Sequence, residues 1–376
     1  MTKQEIIDTL TSLSEFSYPA PIPNTSKKKN ALIVSNRLMK NGAPMALLSY
    51  LRALKEEYDF FVIGMGDGEL RPVYEAEGFS VHLGVAADYN NDSFLQILDE
   101  MDFLLCSTVV TAEFVCFAYQ RTIPTIWWIH EAYAFLSQAV PYVDIDHCKS
   151  DNIRIVASSK TAKQDFETLY GLSCGLLHVR VEDRYQDRNF FHDCGKPVTF
   201  FMPASMEYIK GPDVLAKAIL KLPASYLARS RFIFAGPGDS SQPQYLDMIK
   251  KLDHVCDNVQ YLGILSHDDV FEVCYQSDCV IAPSRTDSLP ATIIEGMVFA
   301  DIGICSDAAG ISAYIDSGVN GYVFESENVE QLREVLMHII DHVDELFEVR
   351  IQARALYENC FSPDACMRQI RRLLPD

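Results

Sequence analysis

Short apolar runs recur along the first half of the chain, and polar or helix-forming stretches separate them. Leu47, Leu51 and Leu54 form a stripe at helical spacing, which predicts a helix over residues 44–57. Short strands that are apolar throughout and alternate with helices are typical of a parallel sheet covered on both faces. The pattern therefore predicts an α/β domain with strands at residues 31–34, 60–63, 80–83, 103–106, 125–129 and 154–157.

The same alternation begins again after a polar, less regular stretch at residues 182–196, with predicted strands at 198–201, 232–235, 259–262, 280–282 and 302–306. The chain has 376 residues, whereas a single core stops growing at roughly 250–300 residues. We therefore predict an N-terminal helix and linker, two Rossmann-like domains, and a C-terminal helix that crosses back to the N-terminal domain, at residues 1–30, 31–192, 193–355 and 356–376.

Charge and cysteine usage narrow the class of protein. A formal net charge of −20 argues against nucleic-acid binding, because neutralising phosphates requires a basic face. Eleven cysteines without a C-x-x-C pair indicate a reduced, cytoplasmic compartment. No apolar run approaches the roughly 18 residues of a membrane span, so we expect neither secretion nor a helical anchor. The basic residues of the last helix are interpreted as a solvated face, and peripheral contact with the inner membrane face is the less favoured alternative (Arg368, Arg371, Arg372).

Ligands of open parallel sheets bind beyond the carboxyl ends of the strands, so the residues after each apolar run are the candidates for a site. In the first half, Gly42 and Ala43 open a helix whose free N–H groups suit an anion such as a diphosphate. A simple turn is the alternative, and the missing G-x-G-x-x-G pattern disfavours a dehydrogenase. His130 directly follows a strand, where it contacts substrate hydroxyls or is a structural histidine; the tryptophans before it are expected in the core (Trp127, Trp128).

The most informative stretch is residues 282–297. Asp287 lies in a loop, and Glu295, eight positions later, lies in a helix that begins near Pro290. We expect both acids to border one pocket, where Glu295 accepts hydrogen bonds from a ribose diol and Asp287 from sugar hydroxyls. The first amides of the helix then face phosphate oxygens (Ala291, Thr292). A helix whose first turns are acidic by chance is an equally weighted alternative for this pair alone.

Taken together, these segments resemble the retaining family 4 glycosyltransferases of the GT-B fold, over residues 31–330. The resemblance rests on residues 282–297, the loop at Gly42, and the segments 127–131, 210–211, 234–238, 261–263 and 320–324. It implies two Rossmann-like, doubly wound parallel-sheet domains that face each other across a cleft. The local sequence is similar to bacterial enzymes of surface polysaccharide assembly. The implied reaction is metal-independent transfer of a hexose-type sugar, by front-face attack with retention, from a nucleoside diphosphate sugar to a saccharide, lipid-linked or protein-linked acceptor.

The resemblance also assigns roles to individual residues. It implies a UDP-sugar as the favoured donor, no cofactor and no metal site. The implied catalytic residues are His130, Lys210 and Asp287, and the implied donor-binding residues are Gly42, Ala43, Ser205, Gly236, Gly263, Ser284, Leu289, Ala291, Thr292 and Glu295.

Three positions depart from the family pattern. Asp287 stands where the family has Glu, Pro290 stands where it has Gly, and Ser205 stands where it has Arg, so one cation of the diphosphate site is absent unless Arg285 or Arg37 reaches in. These departures keep a second hypothesis open: a non-catalytic GT-B subunit that binds an acceptor protein or a catalytic partner. A nucleotide-sugar epimerase is a third, and homo- or hetero-oligomerisation is left open.

Overall fold

The computed structural model describes residues 1–20, 26–144, 146–185 and 195–375. The chain divides into two compact units, which we call the N-unit (Met1–Arg180 with Cys366–Asp376) and the C-unit (Val181–Ala365). The boundary predicted between residues 192 and 193 lies outside the described residues. The chain enters the C-unit at Val181 and returns to the N-unit at Cys366.

The described helices and strands alternate as the apolar pattern predicts. The helices are α1 Lys3–Leu13, α2 Gly42–Leu54, α3 Arg71–Ala76, α4 Asp92–Leu98, α5 Ala112–Arg121, α6 Tyr133–Ala139, α7 Lys160–Tyr170, α8 Pro212–Leu220, α9 Ala224–Leu227, α10 Pro243–Val255, α11 His267–Tyr275, α12 Ala291–Val298, α13 Val329–His342, α14 Phe347–Cys360 and α15 Pro363–Arg371. The strands are β1 Phe16–Tyr18, β2 Lys29–Arg37, β3 Tyr58–Gly66, β4 Ser80–Leu83, β5 Phe103–Ser107, β6 Thr125–Ile129, β7 Ile153–Ala157, β8 Gly175–Leu176, β9 Val198–Pro203, β10 Ser230–Ala235, β11 Val259–Tyr261, β12 Cys279–Ala282, β13 Ile302–Ser306 and β14 Tyr322–Phe324.

The N-unit is built on a sheet with the strand order β1-β4-β3-β2-β5-β6-β7-β8 among the described residues. Its neighbouring strands pair in parallel from β4 to β8, as predicted. The edge strand β1 is an exception, because it pairs antiparallel to β4 within the segment that we predicted as a linker. That part of the expectation is wrong, since three residues with an exposed Phe16 carry too little apolar pattern to predict a strand.

Both faces of the N-unit sheet are covered by apolar helices. Trp127 packs in the cluster that contains α5 and α7, and Trp128 packs on the other face with α2 and α15. Successive residues of a strand point to opposite faces, so adjacent tryptophans fill two different cores. Their indole N–H groups donate to the carbonyls of Thr108 and Leu177 at 3.0 and 2.8 Å. The expectation that both tryptophans are core residues is confirmed.

The C-terminal helix α15 packs in the N-unit. Cys366 and Ile370 belong to the same buried cluster as α2, and the Arg371 guanidinium binds both carboxylate oxygens of Glu57, at 2.7 and 3.0 Å. Arg371 is therefore engaged within the protein. Among the described residues, no helix combines the length and apolar character that crossing a membrane requires.

The C-unit is built on a second parallel sheet with the order β11-β10-β9-β12-β13-β14 among the described residues. The carboxyl ends of β9, β10, β12 and β13 lie along one edge, because neighbouring strands run in the same direction. This edge carries the loops that the sequence marked as a ligand site.

The antiparallel pair β1–β4 contains a buried histidine that makes stability depend on pH. The His82 imidazole is hydrogen-bonded to Ser17 Oγ through Nδ1 and to Ser80 Oγ through Nε2, at 3.1 and 2.9 Å. Burial lowers the pKa of His82 from 6.5 to about 4. The stabilising contribution is thus present above pH 6.5 and is lost as the pH falls toward 4.

We expect the N-unit to lose about 2 kcal/mol of unfolding free energy from this group between pH 8 and pH 5, and the His82→Gln variant to lack this component. Both tryptophans lie in the N-unit, so urea unfolding followed by tryptophan fluorescence reports on this unit. The exposed His254 provides the control variant, His254→Gln. A pH dependence that is identical in wild type and His82→Gln contradicts the assignment.

Candidate active site

Two loops meet at the carboxyl edge of the C-unit sheet. A short 3-10 helix, Tyr208–Lys210, ends at Gly211, whose φ is +68°. A Cβ atom at Gly211 would lie 2.0 Å from the carbonyl oxygen of Pro283, so only glycine fits against the β12–α12 loop. This close approach places Lys210 beside the loop that carries Asp287.

Lys210 and Asp287, two of the three implied catalytic residues, form an ion pair. The distance from Lys210 Nζ to Asp287 Oδ2 is 2.6 Å, and the side chains are 27% and 12% exposed. The other carboxylate oxygen of Asp287 accepts a hydrogen bond from the Leu289 amide at 3.2 Å, and the Asp287 carbonyl accepts one from Gly310 at 2.7 Å. The acid is thus fixed from three sides, with its partner cation still partly open to solvent.

Helix α12 places Glu295 close to the sheet. A Cβ atom at Gly296 would lie 2.5 Å from Val280 Cγ2, so glycine allows α12 to pack tightly on β12. Glu295 is 7% exposed, and its Oε1 lies 3.0 Å from His267 Nε2. His267 was not among the predicted site residues, although the Ser266-x-x-Asp269 capping box after β11 marks this helix start in the sequence.

The start of α12 presents unused backbone donors. Among the described residues, no acceptor binds the amides of Ala291 and Thr292, while the Ile293 amide is bound by the Pro290 carbonyl at 3.2 Å. Pro290 itself has no N–H group, so it removes one donor from this end. The two remaining amides and the helix dipole favour an anion at this position.

Arg285 is held by several partners within the C-unit. Its guanidinium binds both oxygens of Asp213 at 2.9 and 3.0 Å, binds Glu327 at 2.8 Å, and lies over the Tyr208 ring. The hydrogen bonds that Arg285 donates to the Asp213 carboxylate raise the pKa of Arg285. Three partners thus hold Arg285, which disfavours the alternative that it reaches the diphosphate in place of the family arginine. At the position of the family arginine, the Ser205 hydroxyl is hydrogen-bonded to Glu207.

The other predicted site residues of the C-unit make backbone contacts at the carboxyl edge of the sheet. Gly236 has a φ of +137°, and its N–H donates to the Gly263 carbonyl at 2.8 Å, so the two glycines hold the ends of β10 and β11 together. A Cβ atom at Gly236 would lie 2.1 Å from the Ala204 carbonyl oxygen. Ser284 is buried, and its carbonyl accepts a hydrogen bond from the Ser306 hydroxyl.

In the N-unit, the predicted residues lie at the ends of β2 and β6. Gly42 and Ala43 are the first residues of α2, and no side chain caps this helix start at Asn41. His130 follows β6 and lies against Trp128, with ring centroids 4.2 Å apart. Burial lowers the pKa of His130 to about 3, so the imidazole is neutral near pH 7.

Glu131, a strand-end residue to which the sequence assigned no role, holds the segment after β5 to the end of β6. Its carboxylate accepts hydrogen bonds from the amides of Val109 and His130, both at 3.0 Å. Burial raises the pKa of Glu131 to about 7 despite these two bonds. The carboxylate therefore fixes the segment after β5 relative to His130.

Several buried polar atoms at this edge lack a partner. Buried polar groups are normally hydrogen-bonded, so unpaired ones mark a place for a ligand or water. Thr108 also has a φ of +82°, which is rare for a β-branched residue and common at functional sites. Within the described part of the N-unit strand ends, the unpaired atoms are Ser35 Oγ, Asn36 Oδ1, Ser107 Oγ, Thr108 Oγ1 and His130 Nε2.

An open groove of about 290 Å³ begins at the segment after β5. Its walls are mainly aliphatic and aromatic, and they come from that segment, α5, α6 and the turn after α6 (Val109, Val110, Ala112, Glu113, Phe135, Gln138, Ala139, Tyr142, Val143). A search of the described residues finds no group of three or more His, Cys, Asp or Glu side chains arranged to hold a metal ion.

Residues 184–355 match the family model for glycosyl transferases group 1. An uncharacterized glycosyltransferase of Methanocaldococcus jannaschii is 23% identical over 116 residues, which are 31% of this chain and 33% of that protein. The gpi3 subunit of phosphatidylinositol N-acetylglucosaminyltransferase of Schizosaccharomyces pombe is 24% identical over 147 residues, which are 39% of this chain and 32% of that protein. The chain thus spans about a third of the length of these curated relatives.

Solved structures show the fold over nearly the whole chain. Anabaena HepE in complex with UDP superposes with a TM-score of 0.78 at 15% identity, over 92% of this chain and 99% of HepE. The HepE complex with UDP-glucose gives a TM-score of 0.74 at 14% identity, with the same coverage of both chains. With its two parallel-sheet α/β domains, the chain has the GT-B fold, and the predicted fold class is confirmed.

Proposed function

We propose that this chain is a glycosyltransferase that uses a nucleoside diphosphate sugar, with a UDP-sugar as the favoured donor. It transfers a hexose-type sugar with retention, without a metal, to a saccharide, lipid-linked or protein-linked acceptor. The observation that carries the proposal is the Lys210–Asp287 ion pair at 2.6 Å, formed beside the free amides that begin α12, the helix that also carries Glu295.

Similarity to known glycosyltransferases also supports this proposal. The family match covers residues 184–355, which contain Lys210, Asp287 and Glu295. HepE, which shares the fold, was solved with UDP and with UDP-glucose. A C-unit with the same fold and a cation beside an open helix start is suited to hold the same class of donor.

Lys210 and α12 supply positive charge where the leaving group develops negative charge. In the proposed step, an acceptor oxygen bonds to the anomeric carbon as the bond from that carbon to the phosphate oxygen breaks. The electron pair stays on the nucleoside diphosphate, and the departing phosphate takes the acceptor proton. A lysine ammonium and preorganised helix amides stabilise such an anion without a metal.

Asp287 and Glu295 each bind a different part of the donor. Asp287 accepts hydrogen bonds from hydroxyls of the transferred sugar, while Lys210 turns from Asp287 toward the diphosphate. Glu295 accepts hydrogen bonds from the ribose diol, because a carboxylate offers about four lone-pair positions and His267 uses one. In the N-unit, the neutral His130 imidazole suits contact with a sugar hydroxyl.

A non-catalytic GT-B subunit is the second candidate. The observation that favours it is that Arg285 is bound to Asp213 and Glu327, while Ser205 stands at the position of the family arginine. The site then neutralises a diphosphate with fewer cations than the family pattern. In this case the purified protein binds a partner chain, binds no nucleoside diphosphate and turns over no nucleoside diphosphate sugar.

We expect Lys210→Ala to lower the rate of UDP release from the accepted UDP-sugar by about 10²–10³-fold, since it removes one charge donor from the transition state. Release of UDP across a panel of UDP-sugars and acceptors is the measurement. Lys217→Ala is the matched control, because Lys217 forms a similar ion pair with Asp213 at 2.7 Å in the same unit. Equal rates for wild type and Lys210→Ala contradict the assigned role.

We expect substitutions of Glu295 and Asp287 to have different effects on UDP binding. Glu295→Ala lowers the affinity for UDP by about tenfold or more, because a charged hydrogen-bond acceptor for the ribose is lost. Asp287→Ala retains UDP affinity and loses turnover, because UDP contains no transferred sugar and Lys210 is freed for the diphosphate. Calorimetric titration with UDP and initial rates with the UDP-sugar measure both effects. The reverse pattern, with UDP binding lost in Asp287→Ala alone, exchanges the two roles.

A further inference from the structure

We propose that His267 is a positioning residue that holds the Glu295 carboxylate in the orientation needed to receive the ribose of the donor. This inference rests on the proposed function and adds a residue to the C-unit site. His267 Nε2 lies 3.0 Å from Glu295 Oε1, and it is the one hydrogen-bond partner of that carboxylate within the described ranges.

The structure fixes His267 independently of Glu295. Ser266 caps α11, since its hydroxyl accepts from the Asp269 amide at 3.1 Å and donates to the Asp269 carboxylate at 2.6 Å. His267 is therefore held as the first residue of α11. Its ring packs edge-on against Phe271 with centroids 4.9 Å apart, one helical turn later.

Phe271 is itself held in place. It is 3% exposed, and the Arg184 guanidinium lies 4.6 Å from its ring centroid while binding Asp268 at 2.5 Å. The orientation of the imidazole is thus set by a buried ring and a capped helix start, so Nε2 meets Glu295 as a preorganised donor.

His267 supplies the hydrogen bond that orients the Glu295 carboxylate, since within the described ranges this carboxylate has no other hydrogen-bond partner. The side chain is 9% exposed, whereas that of His267 is 45% exposed. A glutamate has three rotatable side-chain bonds, and fixing them costs conformational entropy. If His267 fixes one oxygen in the free protein, the other oxygen points in a defined direction before the nucleotide arrives, and binding costs less.

The test is a double-mutant cycle on UDP binding, measured by calorimetry. His267→Ala is expected to weaken UDP binding about five- to tenfold, and the same change added to Glu295→Ala is expected to have no further effect. His342→Ala is the matched control, because His342 contacts Glu345 at 3.2 Å with the same 45% exposure, on α13 of the same unit. The control is expected to bind UDP like wild type.

Conservative variants separate positioning from a general loss of folding. His267→Gln places a donor near the former Nε2 and is expected to restore wild-type affinity, whereas the shorter His267→Asn is expected to bind as weakly as His267→Ala. For the accepted UDP-sugar, KM rises in His267→Ala and kcat changes less than twofold.

Three results overturn the inference. The first is unchanged UDP affinity in His267→Ala while Glu295→Ala binds weakly. The second is an effect of His267→Ala that persists in the Glu295→Ala background. The third is equal affinity in His267→Gln and His267→Asn. Wild-type protein that binds neither UDP nor any other nucleoside diphosphate refutes the proposed function itself, and with it this inference.

Discussion

The close approach of two loops at Gly211 is the constraint on which the C-unit site depends. The Pro283 carbonyl lies so near that a Cβ atom at Gly211 would be 2.0 Å from its oxygen. Glycine at this position therefore lets the segment after β9 lie against the segment after β12. The Lys210–Asp287 ion pair follows from that backbone contact, since the two residues stand 77 positions apart in the chain. Glycines at 236 and 310 make similarly close backbone contacts along the same edge.

Ion pairs within the C-unit determine which cations at this edge are already held by other residues. Arg285 is held by two carboxylates and a ring, so it functions as a structural cation that joins α8 to the β12–α12 loop. Lys210 has one carboxylate partner and its side chain is 27% exposed, whereas Arg285 has two carboxylate partners and its side chain is 11% exposed. Turning Lys210 toward a phosphate breaks a single ion pair, and Asp287, whose side chain is 12% exposed, then needs hydrogen bonds from other groups, because an unpaired buried charge is costly.

The sequence predicts the sheets well because their strands are apolar throughout. Every predicted strand lies on an observed one, and the strands that were missed are three residues or fewer (β1, β8, β14). Side-chain partners are harder to predict, since nothing in local spacing links Arg285 to Asp213, 72 positions away, or His267 to Glu295, 28 positions away. A sequence pattern can place a residue at a strand end, but the partner of its side chain depends on how loops from different strands meet.

Among the described residues of the N-unit, polar groups in the core are paired, whereas several buried polar groups at the strand ends are not. Its core side chains are well paired, as the two indole N–H groups illustrate. At the ends of β2, β5 and β6, in contrast, buried hydroxyls such as those of Ser35 and Ser107 have no partner among the described residues, and Thr108 adopts a strained backbone. Each unpaired buried polar group costs about 1–3 kcal/mol. Five such atoms among the described residues lie at these strand ends, where a ligand or water can complete the hydrogen bonds. Because Glu131 holds the segment after β5 against the end of β6, the unpaired groups stay in place whether or not they are occupied. The unpaired groups of the N-unit edge are thus held in fixed positions before any ligand binds, as the proposed contact of His130 with a sugar hydroxyl requires.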